Sequence, residues 1–188
     1  MDFKRLYHII RISLMKNGFQ KAEYLKRHRI FAHMGENCFW QPINIPPEAK
    51  LIKLHNNVVV ASEVLFITHD VIHHVFRNIN PEGNYCLNLG PIEVGDNVFI
   101  GSRSIILPNV KIGSNVIIGA GSLVASDIPD GLIVGGVPVR KIGSFDELLD
   151  ARKNKVIEKR KKVERFQDEW EKFYMQRSEK QEVSCSSE

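Results

Sequence analysis

From Val94 onward, aliphatic residues recur at every sixth position. The hexads read VGDNVF, IGSRSI, ILPNVK, IGSNVI, IGAGSL and VASDIP. Their first positions are Val94, Ile100, Ile106, Ile112, Ile118 and Val124, and their fifth are Val98, Ser104, Val110, Val116, Ser122 and Ile128. The second positions are Gly, Gly, Leu, Gly, Gly and Ala. The same period runs upstream, led by Leu54, Val60 and Phe66. A block led by Met34 and Trp40 precedes it, with a slip of phase around Ile45-Pro46-Pro47-Glu48 that reads as a loop. A helix repeats near 3.6 residues and an ordinary sheet at two, so a period of six fits neither. A Gly-rich β-sandwich would not keep this register either. The period predicts a triangular coil with one hexad per side. First and fifth positions then point inside, and the small second position sits at a tight corner. Each coil buries its core only by stacking on its neighbours.

The flanks are patterned differently. Residues 3–16 read as a helix ended by a C-cap at Asn17-Gly18, and residues 19–28 as a second, basic helix. Positions Leu6, Ile9, Ile10, Ser13 and Leu14 are expected to pack on the main domain rather than on a membrane surface. Residues 71–91, VIHHVFRNINPEGNYCLNLGP, interrupt the repeat directly after Thr68-His69-Asp70, with turn chemistry at Pro81-Glu82-Gly83-Asn84. A long insertion in a regular solenoid points to function. After Pro129, DGLIVGGVPVRKIG reads as a last irregular coil. Residues 145–177 read as a charged helix with Phe145, Leu148, Leu149, Val156, Val163, Phe166, Trp170 and Phe173 as its apolar positions. The organisation predicted is a helical segment (1–29), a β-helix domain (30–143) carrying the loop 71–91, a C-terminal helix (144–177) and a disordered tail (178–188).

Composition narrows the classes. The chain of 188 residues is 43% hydrophobic, enough for one globular domain with appendages. Cys38, Cys86 and Cys185 are odd in number and form no CxxC pair, which argues against a disulfide framework and for a reducing cytoplasm. The net charge of +4 is mild, and neither an aromatic-basic RNA motif nor zinc-finger spacing occurs, so no nucleic-acid partner is expected. The N-terminus has no apolar signal region, and nothing approaches the roughly 20 apolar residues of a spanning helix. Stable membrane insertion is therefore not expected.

The hexads, the segment LIKLHNNVVVASEVLFITHD and the ending GGVPVRKIG resemble the hexapeptide-repeat acyltransferases over residues 30–143. Within them the likeness is to the sugar and polysaccharide O-acetyltransferase group. The resemblance implies an all-β core, a left-handed parallel β-helix with short N-terminal helices and a C-terminal helix. It also implies acetyl-CoA as acyl donor, a hydroxyl-bearing acceptor, no metal and a homotrimer with acyl-CoA between neighbouring prisms. His69 matches the family's histidine. Ser102 and Ala120 match positions whose backbones contact the pantetheine arm, and Ser126 a further donor-contacting position. Arg140 matches a cation near the CoA phosphates, with Lys141 as a second cation. Gly143 stands where some relatives carry another basic residue.

The chemistry fits these residue types. A hydroxyl attacking a thioester needs a base, and histidine has a suitable pKa. Of seven histidines, His69 stands at the end of the repeat just before the insertion. The oxyanion needs a donor, for which a backbone N–H near Ser102 is the candidate. Asp70 occupies a fifth slot, where a carboxylate must be hydrogen-bonded; it is expected to clamp the loop rather than move protons. Asp70, His74, Asn84, Tyr85 and Phe99 are the candidate acceptor contacts. Phe99 is alternatively a plain surface aromatic, and His73 and His74 are alternatively loop-shaping residues. An acidic residue orienting His69 is expected, but the sequence does not identify it. Other readings are an antibiotic-type acceptor, a zinc hydratase of the carbonic-anhydrase type and a non-catalytic solenoid. The hydratase needs three histidines from neighbouring coils; His69, His73 and His74 are too clustered, and none follows position 74.

Overall fold

A computed structural model describes residues 3–153, 166–175 and 177. The chain divides into two units, residues 1–151 and 152–188. In the first unit three sheets form the sides of a coil. The first side holds β1 (His33–Met34), β3 (Ile52–Leu54), β8 (Ile92–Val94) and β11 (Val110–Ile112). The second holds β2 (Phe39–Trp40), β4 (Val58–Val60), β9 (Val98–Ile100), β12 (Val116–Ile118), β14 (Leu132–Gly135) and β15 (Arg140–Ser144). The third holds β5 (Leu65–Phe66), β10 (Ile105–Ile106) and β13 (Leu123–Val124). All stacking within these sides is parallel except β14 with β15, which closes the C-terminal end as an antiparallel pair.

Register gives the coil its length. Ile92 pairs with Val110, Val98 with Val116 and Ile105 with Leu123, a step of 18 residues, or three hexads. One coil earlier the step is 40: Ile52 pairs with Ile92, Val58 with Val98 and Leu65 with Ile105. The surplus is the excursion between His69 and Leu89. The first coil steps by 20, His33 to Lys53 and Phe39 to Val59, so two extra residues enter the segment between β2 and β3.

The repeat's first positions, Val94, Ile100, Ile106, Ile112, Ile118 and Val124, are all fully buried, and the fifth positions from Val98 to Ile128 are buried with them. Full burial of such a side chain contributes about 1.5–3 kcal/mol. The two serines among them are satisfied internally: Ser104 and Ser122 both donate to the Gly119 carbonyl. The corners run from the second to the fourth position, between successive strands, as the small second position implied. The left-handed backbone conformation falls at the fourth position, at Asn57, Glu63, Asn97, Arg103, Asn109, Asn115 and Gly121. Asparagine tolerates this region better than most residues. Asn57, Asn97 and Asn115 also link by side-chain hydrogen bonds of 2.9 Å from coil to coil. The second position is small for another reason: a Cβ on Gly101 would lie 2.5 Å from the Ala120 nitrogen of the next coil.

Helices α1 (Phe3–Ser13) and α2 (Gly18–Arg27) precede the coil. Asn17 is the N-cap of α2, not the C-cap of α1, and its side chain accepts from the Phe19 N–H at 2.8 Å. Ile12 is the buried anchor of α1, whereas Ile10, Ser13 and Leu14, expected to pack inward, are exposed. The predicted loop 71–91 contains a short helix, α3 (His73–Ile79), with no buried residue. Helix α4 (Phe145–Arg152) ends before Val156 and Val163, which lie outside the described residues, as does the tail 178–188. In the second unit residues 166–175 are helical, with Trp170, Phe173 and Tyr174 in mutual ring contact. Among the described residues no helix is long and apolar enough to cross a membrane.

Candidate functional site

The third side of the second coil ends at β5, and the chain leaves the prism immediately afterwards. His69 and Asp70 form β6 (His69–Asp70), which pairs antiparallel with β7 (Asn88–Leu89), so the excursion has a two-residue neck. The chain rejoins the coil at Gly90, whose N–H donates to the Thr68 carbonyl at 2.8 Å. A side chain at Gly90 would collide with Pro108 and Asn109, which places the neck directly over the next coil.

His69 is half-buried, and its Nδ1 lies 2.8 Å from Oε2 of Glu48. The same oxygen accepts from Thr68 Oγ1 at 2.9 Å. With Nδ1–H donating to the carboxylate, Nε2 keeps its lone pair for an incoming proton. Burial opposes ionisation of Glu48, but the hydrogen bonds from Thr68 and His69 outweigh it and hold the carboxyl below its ordinary value. Glu48 is therefore a carboxylate at neutral pH, and it is the orienting acid that sequence reasoning did not find. Its one signal was its position in the phase slip, after Pro46-Pro47.

The segment bearing Glu48 is well held. Ile45 is buried, Arg5 Nε donates to the Ile45 carbonyl at 2.7 Å, and the Asn44 side chain accepts from the Ile45 N–H at 3.0 Å. Lys21, itself buried, donates to the Gln41 carbonyl at 3.2 Å; burial lowers its pKa.

Asp70 accepts from the Ile72 N–H at 3.0 Å and the Asn88 side-chain amide at 2.8 Å. The Asn88 bond above all, then the Ile72 N–H, holds its carboxyl below the usual aspartate value. Both contacts tie the excursion's outgoing strand to its start and its return. Farther out, Arg77 donates to the Tyr85 carbonyl, and the Phe76 and Tyr85 rings lie 5.5 Å apart between centroids. Asn84 and His74 are exposed. The His73 and His74 rings are 4.1 Å apart, and His73 Nδ1 is buried without a hydrogen-bond partner among the described residues. Desolvation first, then the His74 and Arg77 charges, lowers the His73 pKa, with Asp70 opposing.

The remaining candidates lie apart from His69. Ser102 and Ala120 occupy equivalent positions in successive coils at the corner between the second and third sides, where Gly121 N–H donates to the Ser102 carbonyl. Ser126 follows β13 at the corner between the third side and the first, the corner His69 also occupies. Arg140 and Lys141 are exposed on β15, at the C-terminal end of the second side. Phe99 points outward on β9, flanked by Val59 and Ile117. One protomer thus holds the histidine and the Ser102–Ala120 column at different corners. A groove of about 400 Å³ on the first side is bounded by Lys50, Lys53, Glu93, Asn109, Lys111 and Asp127; His69 does not line it. Among the described residues no group of three or more His, Cys, Asp or Glu side chains is placed to hold a metal ion.

Known proteins resemble this chain at both levels. A family model described as bacterial transferase hexapeptide (six repeats) matches residues 91–126. Protein CapG of Staphylococcus aureus is 37% identical over 167 residues, spanning 87% of this chain and 91% of CapG. Galactoside O-acetyltransferase of Escherichia coli (strain K12) is 36% identical over 117 residues, 61% of this chain and 55% of that protein. A solved galactoside acetyltransferase in complex with coenzyme A matches with a TM-score of 0.59 at 28% identity, over 86% of this chain and 92% of that one. With the three-sided coil, its 18-residue step and its excursion at His69, these matches establish that the chain belongs to the hexapeptide-repeat acyltransferases and is built on their left-handed parallel β-helix.

Proposed function

We propose that this chain transfers the acetyl group of acetyl-CoA to a hydroxyl of a sugar or polysaccharide precursor, with His69 as general base. The observation that carries the reading is the Glu48–His69 pair at the neck of the excursion. Support for donor and acceptor comes from the similar proteins, one an O-acetyltransferase named for galactosides and one solved with coenzyme A.

In the reaction, His69 Nε2 takes the proton of the acceptor hydroxyl as its oxygen forms a bond to the thioester carbon. Glu48 keeps Nδ1 protonated and stabilises the imidazolium that results. A backbone N–H near Ser102 donates to the tetrahedral oxyanion. Collapse breaks the carbon–sulfur bond, and the CoA thiolate recovers the proton from His69. The products are the acetyl ester and free CoA, with no acyl-enzyme. Ser102, Ala120 and Ser126 line the donor's arm in this scheme, and Arg140 and Lys141 meet its phosphates. Asp70 holds the loop, while His74, Asn84, Tyr85 and Phe99 border the acceptor.

The active unit is a homotrimer. Ser102 and Ala120 stand at a different corner from His69, so a site that uses both is completed by a neighbouring copy. The excursion offers the material for that contact, since Val71, Ile72, Val75, Phe76, Ile79, Leu87 and Leu89 are all exposed. The reaction is placed in the cytoplasm, where acetyl-CoA and sugar precursors meet. An acceptor screen that follows CoA thiol release from acetyl-CoA tests the proposal. Acceptor-dependent release with glycosides or sugar nucleotides supports it; release only with a non-carbohydrate hydroxyl, or with none, overturns it.

A further inference from the structure

Helix α1 presents an apolar face on the side where a surface helix is normally polar. Its inner side is set by Ile12, fully buried, with Arg5 and Ile9 half-buried beside it. At 100° per residue, Phe3, Tyr7, Ile10 and Leu14 fall in one narrow stripe opposite Ile12. They are 83%, 57%, 51% and 74% exposed. Scattered exposed apolar residues need no explanation, but four in a single stripe on the outward side of one helix do.

Charge points to what covers it. Residues 1–29 contain eight of the chain's 26 basic residues and two of its 22 acidic ones, a formal +6, while the other 159 residues, with 18 basic and 20 acidic, carry −2. Helix α1 has no acidic residue in its span, Lys4 and Arg11 line one edge of the stripe, and Lys16 follows it. An apolar stripe edged by cations matches the boundary between headgroups and acyl chains of an anionic lipid layer. A second copy matches it less well, because a stripe-to-stripe contact across a two-fold axis would press two strongly basic segments together.

We propose that α1 is a peripheral docking surface for an anionic lipid bilayer. Phe3, Tyr7, Ile10 and Leu14 enter the interface, and Arg11 and Lys16 meet lipid phosphates. Nothing is inserted across the membrane. The inference does not depend on the acetyl-transfer reading.

The test is flotation of the full-length protein with phosphatidylcholine vesicles and with phosphatidylcholine vesicles containing phosphatidylglycerol. The protein should float with the anionic vesicles, not with the neutral ones, and added salt should weaken the association. The double variant Ile10→Ser/Leu14→Ser should lose at least about tenfold in partitioning, with native mass and melting temperature unchanged. The proposal is overturned if the protein floats with neither vesicle or if the variant floats like wild type. A variant that loses oligomeric mass also overturns it, since the stripe is then an interface between copies.

Discussion

His69 Nδ1 and Glu48 Oε2 lie 2.8 Å apart although the two residues are separated by 21 positions and one whole coil, the three sides of β3, β4 and β5. The carboxylate comes from the irregular side of the first coil, and the imidazole from the first residue of the excursion in the second. The stacking of coils brings them together, and the bond selects the tautomer that leaves Nε2 free to accept a proton.

Glu48→Gln tests that role. The amide keeps the size but loses the charge, and it offers no assured acceptor to hold Nδ1–H. Turnover should fall about a hundredfold or more, as when the orienting acid of a catalytic histidine is neutralised, with the Michaelis constant for acetyl-CoA little changed. Steady-state kinetics at saturating acceptor read this directly, and a rise in that Michaelis constant at constant turnover would contradict it.

The core of this arrangement was legible in the sequence, and the reason is geometric. One hexad spans one side, so the aliphatics from Val94 to Val124 announce their own burial. Glu48 was not legible because its contact with His69 crosses the two-residue surplus between β2 and β3, where hexad counting fails. The glycines at the second position marked the start of each corner but not its left-handed residue. The fourth-position asparagines, Asn97, Asn109 and Asn115, carried the better signal, since they favour the left-handed region. Asn17-Gly18 suits either end of a helix, and only the hydrogen bond to Phe19 decides for the N-cap. Helix α3 has no fully buried residue, so it left no amphipathic trace.

Asp70 gives the excursion a pH dependence. Its carboxyl titrates below the ordinary aspartate value because Asn88 and the Ile72 N–H donate to the charged form. A group lowered in this way contributes fully above the unfolded value, and the contribution is lost as pH falls through the folded one. Hydrogen-exchange protection across residues 71–89, taken relative to the intrinsic chemical rate at each pH, should therefore drop as pH falls below the ordinary aspartate value. Asp70→Asn should show the reduced protection already at neutral pH, with little further change in acid.

The excursion's exposed apolar residues are expected to be covered in the trimer. Native mass measurement should return three copies, and Val75→Asp/Ile79→Asp should shift the population to monomer and abolish turnover. A stable, active wild-type monomer would contradict both the assembly and the shared site.

Arg140 stands remote from His69, at the end of the prism. If its cation meets a phosphate of the donor, it adds nearly equal binding to ground and transition states. Arg140→Ala should then raise the Michaelis constant for acetyl-CoA by roughly tenfold to a hundredfold, the worth of a charge-assisted hydrogen bond, with a smaller change in turnover. Collapse of turnover at unchanged acetyl-CoA affinity would refute this.

The central claim is that His69 is the base. The most direct measurement is turnover of His69→Ala, with acetyl-CoA binding, native mass and melting temperature verified, on an acceptor that the wild type uses. The side chain stands at the neck of the excursion and not among the stacked aliphatics, so fold and donor binding should survive. Turnover should fall by about a hundredfold to ten-thousandfold, the usual worth of a positioned general base. Near-wild-type turnover in that verified variant would contradict the account.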